Sequence, residues 1–216
     1  MIKLNKGPSP LVLSQNAAAW EGELMSYANQ GMRVPDAVQN RYRQDGVKDA
    51  LNVECNGKCM YCESKVGHVA YDHIEHVRPK AIGRYPQLTF EWSNLGLSCP
   101  RCNQNKGSEY DAGCPPLNPY VDDPVDHLLF LGPLVVAKAG SDRGVITERL
   151  LKLNRGELTE RRQRKLERMA ELMQSYARAT NPALKSAIRQ SIVEEIGDDR
   201  DYLACARAVI QQLGGI

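Results

Sequence analysis

Apolar residues recur at helical spacing toward both ends of this chain, whereas the middle loses that rhythm. Leu158, Leu166, Met169, Leu172, Met173 and Tyr176 fall at three- and four-residue steps or their multiples, which predicts one buried face of a long helix. Two further helices are expected over 184–196 and 202–213. Near the start, Ala18, Trp20, Leu24, Met25 and Tyr27 predict a helix with Ser14 as its candidate N-cap and Gly31 and Pro35 as punctuation. A shorter helix is expected over 45–54. Apolar runs at 127–131 and 134–137, split by Gly132 and Pro133, can pair as a short hairpin within 127–138. The intervening stretch is broken by Gly57, Gly67, Pro79, Gly83, Pro86, Pro100, Gly107 and Gly113 around β-like residues at 69–77. The pattern therefore divides into a helical segment 1–54, a small loop-rich unit 55–114 and a mainly helical segment 115–216, the α+β class with helix dominant.

Composition narrows the function classes. In 216 residues, 25% are charged and the net charge is +2. That excludes a uniformly basic nucleic-acid coat, but leaves room for a local basic face. The longest nearly apolar stretch, 128–136, is interrupted by Gly132 and Pro133 and falls far short of the roughly 20 residues of a membrane span. With no signal-peptide pattern at the start, a soluble cytoplasmic protein with no membrane partner is expected. Residues 149–168 hold eight basic side chains (Arg149, Lys152, Arg155, Arg161, Arg162, Arg164, Lys165 and Arg168) against three acids. They read either as a solvated helix face with Glu157–Arg161 and Glu160–Arg164 pairs or as a nucleic-acid contact. Residues 194–201, with five acids and one arginine, could face a basic partner.

Seven cysteines change the picture more. Six of them lie between Cys55 and Cys114, and an odd count without a secretory signal argues for reduced thiols rather than a disulfide scaffold. Cys59-Met60-Tyr61-Cys62 and Cys99-Pro100-Arg101-Cys102 are two Cys-x-x-Cys pairs, each with the spacing that presents both sulfurs to one tetrahedral Zn²⁺. Four thiolates close the coordination shell, so this zinc would be structural. Cys55 is an alternative to Cys59 at a less usual spacing, and Cys114 and Cys205 read as packing thiols. The 36 residues between the pairs exceed what a simple zinc ribbon needs, and they hold three of the four histidines.

That insert reads Tyr71-Asp72-His73-Ile74-Glu75-His76-Val77-Arg78-Pro79-Lys80, then Trp92-Ser93-Asn94-Leu95, and beyond the second pair Asn103-Gln104-Asn105-Lys106-Gly107. An acid followed by His-x-x-Pro, a later Asn-Leu and Cys-x-x-Cys-Asn-x-x-Lys-Gly resembles the HNH endonucleases, over about residues 55–111. Gly-Lys-Cys-x-Tyr-Cys-Glu, Ile-Glu-His-x-Arg-Pro-Lys and Glu-Trp-Ser-Asn-Leu are more narrowly similar to the HNH effectors of Septu and retron-associated anti-phage systems. The resemblance implies a zinc-stapled ββα-metal module within a mostly helical protein. It makes His76 the general base, Glu75 and Asn103 the ligands of a catalytic Mg²⁺ or Mn²⁺, and Asn94 the residue that orients His76. Arg78, Lys80 and Lys106 would grip phosphate. It further implies a nucleic-acid substrate (DNA favoured, RNA or tRNA as the other class) and an ABC-type ATPase partner with which the chain could assemble.

The acid before the base is Glu75, where most HNH enzymes have Asp. Asp72-His73 is a second acid-histidine pair, but the residue three beyond His73 is His76 and not proline, so His76 is preferred as base and Asp72 and His73 as its supporting neighbours. Strand alternation puts Asp72, Ile74 and His76 on one face and His73 and Glu75 on the other, so Glu75 and His76 reach one metal only if the strand ends or bulges there. His68 reads as exposed, His127 as a strand or helix-cap residue, and Trp92 and Tyr85 as core aromatics. A non-catalytic zinc module that binds nucleic acid or protein would need the four cysteines, but has no use for Glu75, His76, Asn94 and Asn103.

Overall fold

A computed structural model describes residues 1–66 and 73–212; Asp72, His68 and the expected β-like stretch before His73 lie outside the described residues. The first helix, α1 (Leu11–Asn29), starts ahead of the expected cap. Ser14 sits inside it with its hydroxyl bonded back to the Leu11 carbonyl at 3.1 Å. The start is set by Pro10, which has no N–H to satisfy and whose carbonyl accepts from Leu13 and Ser14. After the short α2 (Asp36–Gln39), α3 (Asp45–Cys55) forms over the stretch expected to be helical, burying Val47 and Leu51. Asn56 and Gly57, both left-handed with φ of 49° and 64°, then turn the chain into the first cysteine pair.

The middle segment is a ββα unit. Strands β1 (His73–His76) and β2 (Leu95–Ser98) pair antiparallel, His73 opposite Ser98 and His76 opposite Leu95, and α4 (Pro100–Lys106) leaves directly from the end of β2. Met60 N–H donates to the Leu97 carbonyl at 2.8 Å, which pins the first cysteine turn to β2. The apolar runs at 127–138 form β3 (Leu128–Leu131) and β4 (Leu134–Ala137), joined through a left-handed Gly132. Helix α5 (Asp142–Leu150) packs on this hairpin at Gly144, where a Cβ would lie 2.5 Å from the His127 carbonyl oxygen. Helices α6 (Gly156–Arg178), α7 (Pro182–Glu195) and α8 (Leu203–Gln212) complete the chain. Met169, Met173, Ile192 and Ala206 make a small core of their own where these three helices meet.

The three sequence segments share one main core. Tyr61, Phe90, Leu95 and Leu97 of the ββα unit belong to the same buried cluster as Leu13 and Leu51 before it and Leu117, Leu128, Leu158 and Tyr202 after it. Polar anchors reinforce the join. Lys6 Nζ reaches Glu54 at 3.0 Å and the Leu95 carbonyl at 2.8 Å while lying 3.5 Å from the Trp92 ring centroid. Trp92 Nε1 donates to the Gly7 carbonyl, and buried Lys58 donates to the carbonyls of Asp198 and Arg200. The basic stretch 149–168 does not form one surface. Arg162 is buried on the Pro133 and Leu153 carbonyls, Lys165 pairs with Glu195, and Arg155 turns toward the cysteines. The acidic stretch is likewise partly neutralised inside the chain, Asp198 by Arg207 and Glu195 by Lys165.

Candidate active site

Each element of the ββα unit contributes one part of the site. The cysteines converge first: the sulfurs of Cys59, Cys62, Cys99 and Cys102 all lie within 4.8 Å of one another. Cys99 is the residue before α4, and its sulfur accepts the Cys102 N–H at 3.4 Å, so the helix start itself shapes the second pair. Three of the four are buried, and Cys55 stands apart, 3.5 Å from the Tyr120 hydroxyl. Four converging thiols in a dry setting are a donor set that suits tetrahedral Zn²⁺. Arg155 places its two terminal nitrogens 3.7 Å from Cys102 Sγ and one of them 3.9 Å from Cys99 Sγ. Burial opposes the charge on Arg155, but the Cys102 and Cys62 sulfurs outweigh it and hold the guanidinium above its usual range. A zinc tetrathiolate here would carry net negative charge, and this arginine would offset part of it.

β1 pairs residue for residue with β2 and stops at His76, and Glu75 and His76 diverge from adjacent positions. Glu75 turns toward α4. Its Oε1 is 2.7 Å from Lys106 Nζ and 3.5 Å from the Tyr61 hydroxyl, and its Oε2 accepts from the Asn103 amide at 2.7 Å. Both partners of the ion pair are nearly dry, with side-chain exposures of 1% for Lys106 and 4% for Glu75. Burial pushes the Glu75 carboxyl above its usual range, and the Lys106 ammonium works against that shift. Lys106 also donates to the His76 carbonyl at 2.8 Å, tying α4 to the end of β1. Lys106 is thus an interior counter-ion, which is not the phosphate-facing position the motif implies for it.

The His76 ring turns the other way. Nε2 lies 2.9 Å from the Thr89 carbonyl, and the ring stands edge-on to Tyr42 with centroids 4.6 Å apart. A carbonyl can only accept, so Nε2 carries the proton and Nδ1 is left with the free lone pair. Burial lowers the His76 pKa to about 3, outweighing the Thr89 contact that favours the charged ring, and the cations of Lys80, Lys106 and Arg43 add to the lowering.

Asn94 does not touch that ring. Its side chain donates to the carbonyls of Arg78 and Leu88, both at 3.0 Å, and accepts the Arg78 N–H at 2.8 Å. It clasps the chain after β1 to the turn that ends in Thr89, and so positions the carbonyl that holds His76.

These groups open onto a cleft of about 530 Å³ lined by Glu75, His76, Asn103, His73, Pro79 and Lys80 from the ββα unit and by Tyr42, Arg43, Asp45 and Lys48 from the preceding segment. His73 shares the Glu75 face of β1, and Arg78 is exposed beside Tyr85. His127 bonds Ser141, the residue that caps α5. Tyr42, Arg43, Thr89 and Arg155 are absent from the sequence motif; only their contacts in the folded chain reveal them.

Residues 59–109, which hold the ββα unit, match the family model described as HNH endonuclease. More particularly, the chain is 37% identical over 150 residues to the Septu protein PtuB of Bacillus mycoides (strain KBAB4), an alignment covering 56% of this chain and 51% of that protein. It is also 34% identical over 129 residues to the Septu protein PtuB of Bacillus thuringiensis, covering 59% of this chain and 46% of that one. The chain spans about half the length of these curated relatives. No helix among the described residues is long and apolar enough to cross a membrane.

Proposed function

We propose that this chain is a metal-dependent endonuclease that hydrolyses phosphodiester bonds of nucleic acid, with DNA the favoured substrate and RNA or tRNA the second class. The observation that carries it is the His76 ring, fixed through Nε2 on the Thr89 carbonyl and lining one cleft with Glu75 and Asn103. In the attack on phosphorus, Nδ1 takes the proton of the incoming water while Nε2–H stays on Thr89, so the imidazolium that forms keeps its hydrogen bond. Glu75 and Asn103, a carboxylate and an amide carbonyl on neighbouring elements, are the hard oxygen donors that Mg²⁺ or Mn²⁺ prefers. Such an ion, when bound, offsets charge on the phosphoryl oxygens and the departing 3′ oxygen. Lys106 opposes the rise that burial imposes on the Glu75 carboxyl, Asn94 holds the Thr89 turn, and the four cysteines on Zn²⁺ fix α4 against β1. The products expected are 5′ phosphate and 3′ hydroxyl ends.

Similarity to Septu PtuB proteins supports a place in bacterial anti-phage defence; the proposed role there is that of a toxic cytoplasmic effector controlled by an ABC-type ATPase partner. The test is cleavage of plasmid and of RNA in Mg²⁺ or Mn²⁺ by wild type and His76→Ala, with and without an ABC-type ATPase of the proposed kind. Wild type should cut, and His76→Ala should lose at least about 10²-fold of the rate, the low end for a general base. Nucleic acid that is bound but never cut would instead favour a non-catalytic zinc module.

A further inference from the structure

The wall of the cleft that faces His76 does not come from the HNH motif. It is built by Tyr42 and Arg43, just ahead of α3, and it meets Lys80, the motif cation already expected to grip phosphate, which reaches in from the chain after β1. Tyr42 is 2% exposed and meets the His76 ring edge-on. Two cations converge on it: Lys80 Nζ lies 5.0 Å from the Tyr42 ring centroid and Arg43 Cζ lies 5.6 Å from it. Arg43 is exposed and spends one donor, Nε, on the Tyr42 hydroxyl at 3.3 Å, which fixes the guanidinium while leaving its terminal fork to solvent. Neither Arg43 nor Lys80 has an ion-pair partner among the described residues. Asp45 is the carboxylate on the same wall, and it is exposed.

A positioned arginine fork beside an ammonium, one side chain away from the base, suits the oxygens of a phosphodiester backbone. We propose that Arg43 and Lys80, both held over the Tyr42 ring, grip the backbone phosphates flanking the scissile one, so that the segment before the HNH domain supplies part of the nucleic-acid site. This rests on the nuclease function proposed for the chain. It also gives Tyr42 a task, since its buried ring couples the placement of both cations to that of His76.

The test is binding of a fluorescent DNA duplex across a salt series, without added divalent metal, by wild type, Arg43→Gln, Arg43→Lys, Lys80→Gln and, as control, Arg189→Gln on α7, which does not line the cleft. Removing one phosphate-gripping cation should weaken binding uniformly across sequences and reduce the slope of log K against log salt by about 1. Arg43→Gln and Lys80→Gln should each do so with melting temperature unchanged, Arg43→Lys should keep most of the slope, and Arg189→Gln should match wild type. In cleavage assays Arg43→Gln should raise KM more than it lowers kcat. An Arg43→Gln protein that binds and cuts like wild type overturns the grip and leaves the nuclease standing. A wild type that neither binds nor cuts any nucleic acid overturns both.

Discussion

The Glu75–Lys106 pair shows how one side chain can be misread from a motif and still matter to the site. Two opposite charges this dry gain strongly from each other, but each has lost its water, so removing one partner strands the other. Lys106→Met should therefore destabilise the fold by about 3–5 kcal/mol. Adding Glu75→Leu to Lys106→Met should recover most of that loss, because an apolar pair of similar volume replaces the ion pair, while cleavage stays absent for want of the metal ligand. Urea denaturation of the two variants and the wild type checks this; a double variant no more stable than Lys106→Met would mean that the pair is not the source of the cost. At this scale the sequence was legible where chemistry is local. The spacing of Cys59, Cys62, Cys99 and Cys102 gave their neighbourhood directly, and the resemblance to the HNH motif implied that of Glu75, His76 and Asn103. The groups that set His76, the Thr89 carbonyl and the Tyr42 ring, were not, because a backbone carbonyl carries no residue signature and Tyr42 arrives from 34 positions away through tertiary packing alone.

Elements were easier to read than their joints. The long helical rhythm located α6, and the broken apolar runs located β3 and β4, because both are periodic patterns with one face turned inward. Ser14 misled as a cap because a hydroxyl inside a helix can bond back to the preceding turn as readily as it caps the next. The contact between α5 and the hairpin lies in a residue with no side chain. At Gly144 an added Cβ would meet the His127 backbone oxygen at 2.5 Å and Ala137 Cβ at 3.2 Å, so helix and hairpin must move apart to accept it. Helix propensity alone would make Gly144→Ala stabilising by up to about 1 kcal/mol. The overpacking should win, with a net loss of about 1–3 kcal/mol. Thermal denaturation decides the sign, and a raised melting temperature would show that the hairpin yields freely.

For the whole molecule, zinc is expected to hold more than the unit it staples. The ββα unit contributes Tyr61, Phe90, Leu95 and Leu97 to a core that also contains Leu13, Leu51, Leu128 and Leu158, so its unfolding would expose apolar surface on both flanking segments. Arg155 extends the coupling, since it stands against Cys99 and Cys102 at the start of α6 and would be left beside neutral thiols or empty space. Binding of a structural metal is worth several kcal/mol of folding free energy, much of a domain's total stability. Cys62→Ser, which removes a buried ligand, should therefore abolish one equivalent of bound zinc and lower a single cooperative transition that helix content and zinc release report together. Were the zinc unit independent, the helical signal would keep its wild-type midpoint while zinc left early, and the two probes would part. Coincident transitions would also explain the length of helix around so small a ββα unit: the flanking segments are the other half of its core, and through Tyr42 and Arg43 they form one wall of its cleft.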